Sequence, residues 1–301
     1  MDSKIKAVSF GEVLWDVFGT EKKIGGAPLN LALRMQSLGC DAAMISAIGN
    51  DHDGQNIIDY VQGKGLDTAG IVTVEGYPTG LVQVHLNEHG SASYDISYPS
   101  AWDKIALNKS ARNLAESAHV IIYGSLACRD LVSQQALAEL LQYNTFKVFD
   151  VNLRKPHYSL ETLKTLMQPA DFIKFNDDEL LEIAAALGST SDSLEENIHY
   201  VYKWLNKADV KGICVTRGAH GALLFWEGQL YDNGGYKVTV ADTVGAGDSF
   251  LATLIMKLLS GLPPHKALDY ACAMGALVAA SPGANPHIED TQVENLIANG
   301  Q

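Results

Sequence analysis

Cysteine is scarce in this chain, and the four present share no spacing. Cys40, Cys128, Cys214 and Cys272 lie far apart with no C-x-x-C pair, which excludes a disulfide scaffold and a structural zinc site and leaves reduced, buried thiols. Positive charge is also short: 22 Lys plus Arg stand against 35 Asp plus Glu, for a net charge of -13. Such a field repels polyanions, so no nucleic-acid partner is expected, and any anionic ligand needs a local positive device. The longest apolar runs fall within 250–259 and 271–280, well short of the roughly 18 residues of a membrane span, so no membrane partner is expected either. The first residues run straight into a strand-like Ala7-Val8-Ser9-Phe10, leaving no room for a secretory leader, and a cytoplasmic location is expected.

Several catalytic signatures are missing. A G-x-x-x-x-G-K-[ST] loop is absent, since Gly63-Lys64-Gly65 lacks the earlier glycine and the final hydroxyl residue. No H-R-D or D-F-G occurs, which excludes a protein kinase, and Gly245-x-Gly247 is not followed by the third glycine of a dinucleotide site. His85-Leu86-Asn87-Glu88-His89 fits the H-x-x-E-H pattern of some zinc peptidases. That pattern needs a helix to bring both imidazoles onto one face, whereas here a strand-like run leads in and a glycine turn ends it.

What is present is an α/β rhythm. With 47% hydrophobic residues in 301, the chain can fill one substantial core. Strand-like runs at 5–10, 42–48, 119–124, 146–150, 172–176 and 212–216 alternate with helix-like runs at 28–38, 54–62, 133–142, 160–167, 177–187 and 194–207. This alternation predicts a mostly parallel sheet covered by helices. Two stretches break it. Runs 79–86 and 91–97, joined by Asn87-Glu88-His89-Gly90, predict a hairpin projecting from the body, and runs 222–231 and 236–241 predict a second hairpin turning at Asp232-Asn233-Gly234-Gly235. No repeat, low-complexity tract or long linker is found, which predicts one domain with a small appendage.

The segment Ala241-Asp242-Thr243-Val244-Gly245-Ala246-Gly247-Asp248 follows a strand and opens the apolar run 249–259. Two glycines and an alanine let backbone approach a ligand closely, and the free N–H groups of a first helical turn bind anionic oxygens, which supplies the positive device. Asp248 could simply cap that helix, or it could orient an acceptor hydroxyl and take its proton.

Together with Gly25-Gly26-Ala27-Pro28-Leu29-Asn30, Leu38-Gly39 and Ile48-Gly49-Asn50-Asp51 plus Gly54, this segment resembles the paired signatures of the ribokinase/fructokinase (PfkB-type) carbohydrate kinases. The resemblance covers nearly the whole chain. It implies a ribokinase-like three-layer α/β/α fold, a single kinase domain over 1–301 with a projecting β lid built from segments at about 12–24 and 72–100, and MgATP-dependent phosphorylation of a small sugar. Asp248 is then the catalytic base, with Gly245, Ala246 and Gly247 as an anion hole. Asp16, Gly25, Gly26 and Asn30 match positions that hold sugar hydroxyls, although Asn30 alone would suit the polar side of an amphipathic helix.

Asn176-Asp177-Asp178-Glu179 resembles the family's N-x-x-E motif, so Asn176 and Glu179 would organise Mg²⁺ through water and phosphate; locally it also reads as an acidic first helical turn. The resemblance places Thr216, Gly218 and Gly221 beside the nucleotide, where a tight glycine turn between strands is the alternative, and Gly283 and Ala284 at the adenine. It also implies a monovalent cation held by nearby carbonyls and lid pairing in a homodimer.

Asp150-Val151-Asn152-Leu153-Arg154, Gly11-Glu12-Val13-Leu14-Trp15-Asp16 and Gly124-Ser125-Leu126-Ala127 look fructokinase-like, with Arg154 neutralising charge on phosphate or substrate. Where ribokinases carry a lysine after the paired glycines this chain has Ala27, which favours fructose over ribose. A 2-keto-3-deoxygluconate or nucleoside kinase, and a non-catalytic sugar or nucleotide sensor on the same fold, are the alternatives.

Overall fold

Strands rich in Val, Ile and Phe, flanked by helical segments with apolar faces, set the architecture. The computed structural model describes residues 4–86, 92–206 and 210–300. Its strands are β1 (Lys6–Phe10), β2 (Leu14–Phe18), β3 (Glu21–Gly25), β4 (Asp41–Gly49), β5 (Asp67–Val74), β6 (Gly80–Leu86), β7 (Ala92–Ile96), β8 (Val120–Gly124), β9 (Phe146–Asp150), β10 (Phe172–Asn176), β11 (Gly212–Thr216), β12 (Ala222–Trp226) and β13 (Gln229–Asn233). Its helices are α1 (Ala27–Ser37), α2 (His52–Gly63), α3 (Lys109–Ser117), α4 (Leu131–Leu140), α5 (Leu160–Met167), α6 (Asp177–Leu187), α7 (Leu194–Leu205), α8 (Ala246–Leu259), α9 (Pro264–Ala279) and α10 (Asp290–Asn299).

Among the described residues the main sheet runs β13-β12-β11-β10-β9-β8-β1-β4-β5. It is parallel from β5 to β11 and antiparallel at the β12 and β13 edge. Because side chains alternate across a strand, Ile122, Val148, Phe172 and Cys214 enter one core, under α1, α8 and α9. Their neighbours Ile121, Phe149, Ile173 and Val215 enter the other, under α4 to α7. Burial on both faces explains why strands such as β8 (Val-Ile-Ile-Tyr-Gly) read as apolar runs, and the result is the expected three-layer α/β/α arrangement. All four cysteines are free and buried, and no helix among the described residues is long and apolar enough to cross a membrane.

A second sheet, ordered β3-β2-β6-β7, grows from the connections after β1 and β5. Leu14, Val82, Val84 and Ile96 pack with Trp102 and Leu126 in its own small core. Its base is anchored by Asp51, whose Oδ1 accepts from Gly54 N (2.8 Å) and Thr79 Oγ1 (2.6 Å) while Oδ2 accepts from Thr79 N (2.8 Å). His85 lies on β6, a strand, which removes the helix the zinc pattern needs; the turn at Asn87 to Gly90 falls outside the described residues.

One expectation is corrected. The second hairpin turns at Glu227-Gly228, not at Asp232 to Gly235: β12 pairs with β13 from Ala222↔Asn233 to Trp226↔Gln229. Glu227 at φ 48° and Gly228 at φ 87° provide the two positive-φ positions of a tight hairpin turn, and glutamate seldom advertises such a turn. The chain beyond Asn233 leaves the sheet. Gly235 folds against Gly221 and Ala219, and residues 236–241 run unpaired to the C-terminal end of α9, where Ala241 N and Asp242 N donate to Ala279 O (2.8 and 3.1 Å).

Candidate active site

The C-terminal ends of the parallel strands, where open α/β sheets take their ligands, carry the polar residues singled out above. Asp242 organises the approach to α8, its Oδ1 accepting from Val244 N (3.0 Å) and its Oδ2 from Gly283 N (3.2 Å). Gly245 then caps the helix with φ 77°. A Cβ there would lie 2.4 Å from the carbonyl oxygen of Ala284, so only glycine allows the two loops to close. No side chain caps α8. Ala246 N donates to Thr243 O (3.3 Å), which leaves the N–H groups of Gly247 and Asp248 and the positive dipole end for an anion.

Asp248, at the third position of that helix, receives a hydrogen bond from Asn30 Nδ2 at 2.8 Å. It lies half-buried. Burial, together with the negative charge of Asp150, pushes its carboxyl up to about 6, while the Asn30 bond, Lys174 and Arg154 oppose the rise.

Asn30 reaches Asp248 because Gly26 starts α1 at φ 111°, packed so closely that a Cβ would come within 2.5 Å of Glu12 O. It is buried (4% exposed), so it is no surface residue of an amphipathic helix, and its Oδ1 accepts from Asn285 Nδ2 at 2.8 Å. One turn on, the buried Arg34 donates through Nε to Ser249 Oγ (3.0 Å) and through Nη2 to Pro286 O (3.0 Å). Helix α1 thus fastens the start of α8 to the 285–286 loop. Gly25 faces Asp16, whose Oδ2 would lie 2.1 Å from a Cβ at that glycine. Burial pushes Asp16 up to about 6, against the pull of Arg154. Arg154 also acts on Glu12 and Asp248, which sets it among all three carboxylates.

On the other side, Asn176 and Glu179 form a reciprocal cap at the start of α6: Asn176 Oδ1 accepts from Glu179 N (2.7 Å) and Glu179 Oε2 from Asn176 N (2.8 Å). Glu179 Oε1 also accepts from Leu153 N (2.9 Å), tying α6 to the loop that carries Arg154. Among the described residues no group of three or more His, Cys, Asp or Glu could hold a metal ion. One fixed carboxylate of this kind suits Mg²⁺, which keeps several waters and takes phosphate oxygens as ligands.

Thr216 ends β11, its Oγ1 donating to Phe175 O (3.4 Å), and Gly218 turns at φ 55° with open space around it. Gly221 has a packing role, since a Cβ there would meet Asn233 O at 2.0 Å. Gly283 and Ala284 are joined to the anion turn through Asp242 and Gly245 as above. No described hydrogen bond links Thr216, Gly218 or Gly221 to the Asp248 cluster.

Glu12, Asp150 and Lys174 are buried charged groups to which the sequence assigned no role, although Glu12 and Asp150 stand in the segments quoted above. Glu12 is 4% exposed with an unpartnered Oε2, and burial pushes it up to about 7. Lys174 and Asp150, 7% and 2% exposed, form an ion pair of 3.1 Å. A strand lysine and a strand-end aspartate look like ordinary surface residues in sequence. The hints were that Asp150 opens the D-x-N-x-R segment and that Lys174 stands two residues before the N-x-x-E segment.

A glycine turn without a side-chain cap, carrying in the same first helical turn a carboxylate held by an amide, is the kind of geometry that suits phosphoryl transfer. The sequence profile of the pfkB family carbohydrate kinases matches residues 1–291. The chain belongs to that family and is a sugar kinase. It is 29% identical over 320 aligned residues to fructokinase-1 of Oryza sativa subsp. japonica, covering 96% of each protein. It is 28% identical over 274 residues to the 2-dehydro-3-deoxygluconokinase of Thermoproteus tenax, covering 88% of this chain and 82% of that one. The crystal structure of an uncharacterized sugar kinase from Pyrococcus horikoshii in complex with ATP superposes with a TM-score of 0.83 at 25% identity, covering 97% of this chain and 99% of the other.

Proposed function

We propose that the protein transfers the γ-phosphoryl group of ATP to a hydroxyl of fructose, with Asp248 as the base. The observation that carries this is the pairing of Asp248 with Asn30 beside the start of α8, which no side chain caps: the carboxylate is held by the amide and does not cover the N–H groups of Gly247 and Asp248. The acceptor hydroxyl gives its proton to a carboxylate oxygen of Asp248 as its oxygen bonds to phosphorus, the bond to the bridging oxygen breaks, and ADP leaves with that electron pair. Gly245, Ala246 and Gly247 amides, with Arg154, stabilise charge on the transferring group. Mg²⁺, when bound, supplies charge neutralisation on the phosphates, with Glu179 and Asn176 on the protein side.

Asp16, Gly25, Gly26 and Asn30 hold sugar hydroxyls, and the second sheet acts as the lid that keeps water out. Thr216, Gly218 and the Gly283-Ala284 loop flank the nucleotide, and carbonyls near Asp242 and Val244 form a monovalent-cation site. The protein works in the cytoplasm as a homodimer paired through its lids. Ala27 after the paired glycines and the similarity to a rice fructokinase support fructose; the similarity to the Thermoproteus enzyme supports 2-keto-3-deoxygluconate as the competing acceptor.

The test is ADP release from MgATP against fructose, ribose, 2-keto-3-deoxygluconate, adenosine and no acceptor. Release with fructose alone establishes the reading. Release with another acceptor moves the specificity, and silence across the panel favours a sensor.

A further inference from the structure

The Asp150–Lys174 pair has no part in the proton and phosphoryl transfers above, yet it lies directly beneath them. Asp150 ends β9 and faces Lys174 across the β9–β10 register. Val151 N donates to Lys174 O at 3.0 Å, so the backbone holds the pair in place. Lys174 Nζ lies 3.1 Å from Asp150 Oδ1 and 3.9 Å from where a Cβ on Gly247 would sit. This puts the ammonium against the first turn of α8, one residue from Asp248. Asp150, 2% exposed, also lines a narrow pocket with Glu12, Ser9, Ser125 and Asn152. Burying such a pair brings little stability of its own, which leaves its position beside Asp248 as the feature to explain.

We propose that the Asp150–Lys174 ion pair is a positioning element that tunes the basicity of Asp248 and so sets the pH range in which Asp248 accepts a proton. The inference deepens the reading of Asp248 as base and rests on it for its catalytic meaning. The groups facing Asp248 come from five elements: Glu12 after β1, Asn30 on α1, Asp150 at the end of β9, Arg154 in the loop that follows, and Lys174 on β10. Arg34 from α1 holds the adjoining Ser249, and Glu179 acts on the ammonium of Lys174 from α6. Of the pair, the Asp150 charge favours the protonated form of Asp248 and is the stronger influence, while Lys174 favours the carboxylate. The two charges therefore pull in opposite directions.

The experiment is a ¹³C NMR titration of the full-length, ligand-free protein labelled at its aspartate carboxyls, with the Asp248 resonance assigned by its loss in Asp248→Asn. The wild-type midpoint is expected near 6. Lys174→Met raises it and Asp150→Asn lowers it, each by roughly 1 unit; Lys174→Arg leaves it in place. Each neutralising single variant strands a buried charge and can fail to fold. The Asp150→Asn/Lys174→Met double variant avoids this, and its midpoint falls below the wild type because the stronger influence is gone. The acid limb of kcat/KM for the sugar should move in the same order. Unmoved midpoints in the variants that fold, the double included, overturn the inference. The predicted order in a protein that turns over no sugar supports the tuning and overturns the base reading instead.

Discussion

Asn30 and Asp248 lie 218 positions apart in the chain and meet at 2.8 Å through Nδ2 and Oδ2. The contact joins α1, which follows the paired glycines, to the first turn of the helix behind the anion turn. Neither signature alone builds the site; this hydrogen bond is where they become one.

Removing it tests its weight. Asn30→Ala deletes a bond that favours the Asp248 carboxylate and strands the Asn285 amide that donates to Asn30. The acid limb of kcat/KM should move to higher pH and kcat/KM should fall about 10- to 100-fold, while thermal unfolding shows a loss of about 1 kcal/mol.

Glu12 offers a test on stability alone. Its carboxyl is raised from 4.5 to about 7 by burial, so the folded protein binds that proton more tightly than the unfolded chain does. The resulting stability is full below pH about 4.5 and is lost as pH climbs through about 7, on the order of 3 kcal/mol in all. Glu12→Gln should narrow the difference in unfolding free energy between pH 5 and pH 8. An unchanged difference assigns the pH dependence elsewhere.

The two glycines of the anion turn should separate. Gly245→Ala puts a Cβ within 2.4 Å of Ala284 O at a backbone φ of 77° and should cost about 1–3 kcal/mol as well as activity. At Gly247 the nearest group to a Cβ is Lys174 Nζ, 3.9 Å away. Gly247→Ala should melt within a few degrees of the wild type and still lose turnover, because the methyl enters the space assigned to phosphate. Melting curves and ADP release on the same samples check the contrast.

Glu179 uses both oxygens to accept backbone N–H groups. Glu179→Gln turns one acceptor into a donor facing another donor, so a loss of about 1–3 kcal/mol is expected. The Mg²⁺ concentration needed for half-maximal rate should rise together with it. A variant destabilised but unchanged in its Mg²⁺ requirement would make Glu179 a structural clamp only.

Much of the body was legible because doubly buried strands such as Val120–Gly124 and Gly212–Thr216 are apolar along most of their length. The start of α8 was legible because its Gly-Ala-Gly-Asp run has few structural uses. The Glu227-Gly228 turn was hidden because its first residue is a poor turn former. In β3, Glu21, Lys22 and Lys23 are exposed, so no alternation marks the strand. Lys174, Asp150 and Glu12 were hidden for another reason: a charge in sequence carries no sign of burial. Arg34 did leave a trace, since Asn30 and Arg34 are one turn apart and share a helix face.

The most direct test of the central claim compares the wild type with Asp248→Asn for fructose and ATP binding by calorimetry and for phosphoryl transfer in a single turnover with MgATP. The account predicts that the variant melts no lower than the wild type at pH 8, binds both ligands within a few-fold, and transfers phosphate about 10²- to 10⁴-fold more slowly, the range of a lost general base. Near-normal transfer by a folded Asp248→Asn protein would contradict it.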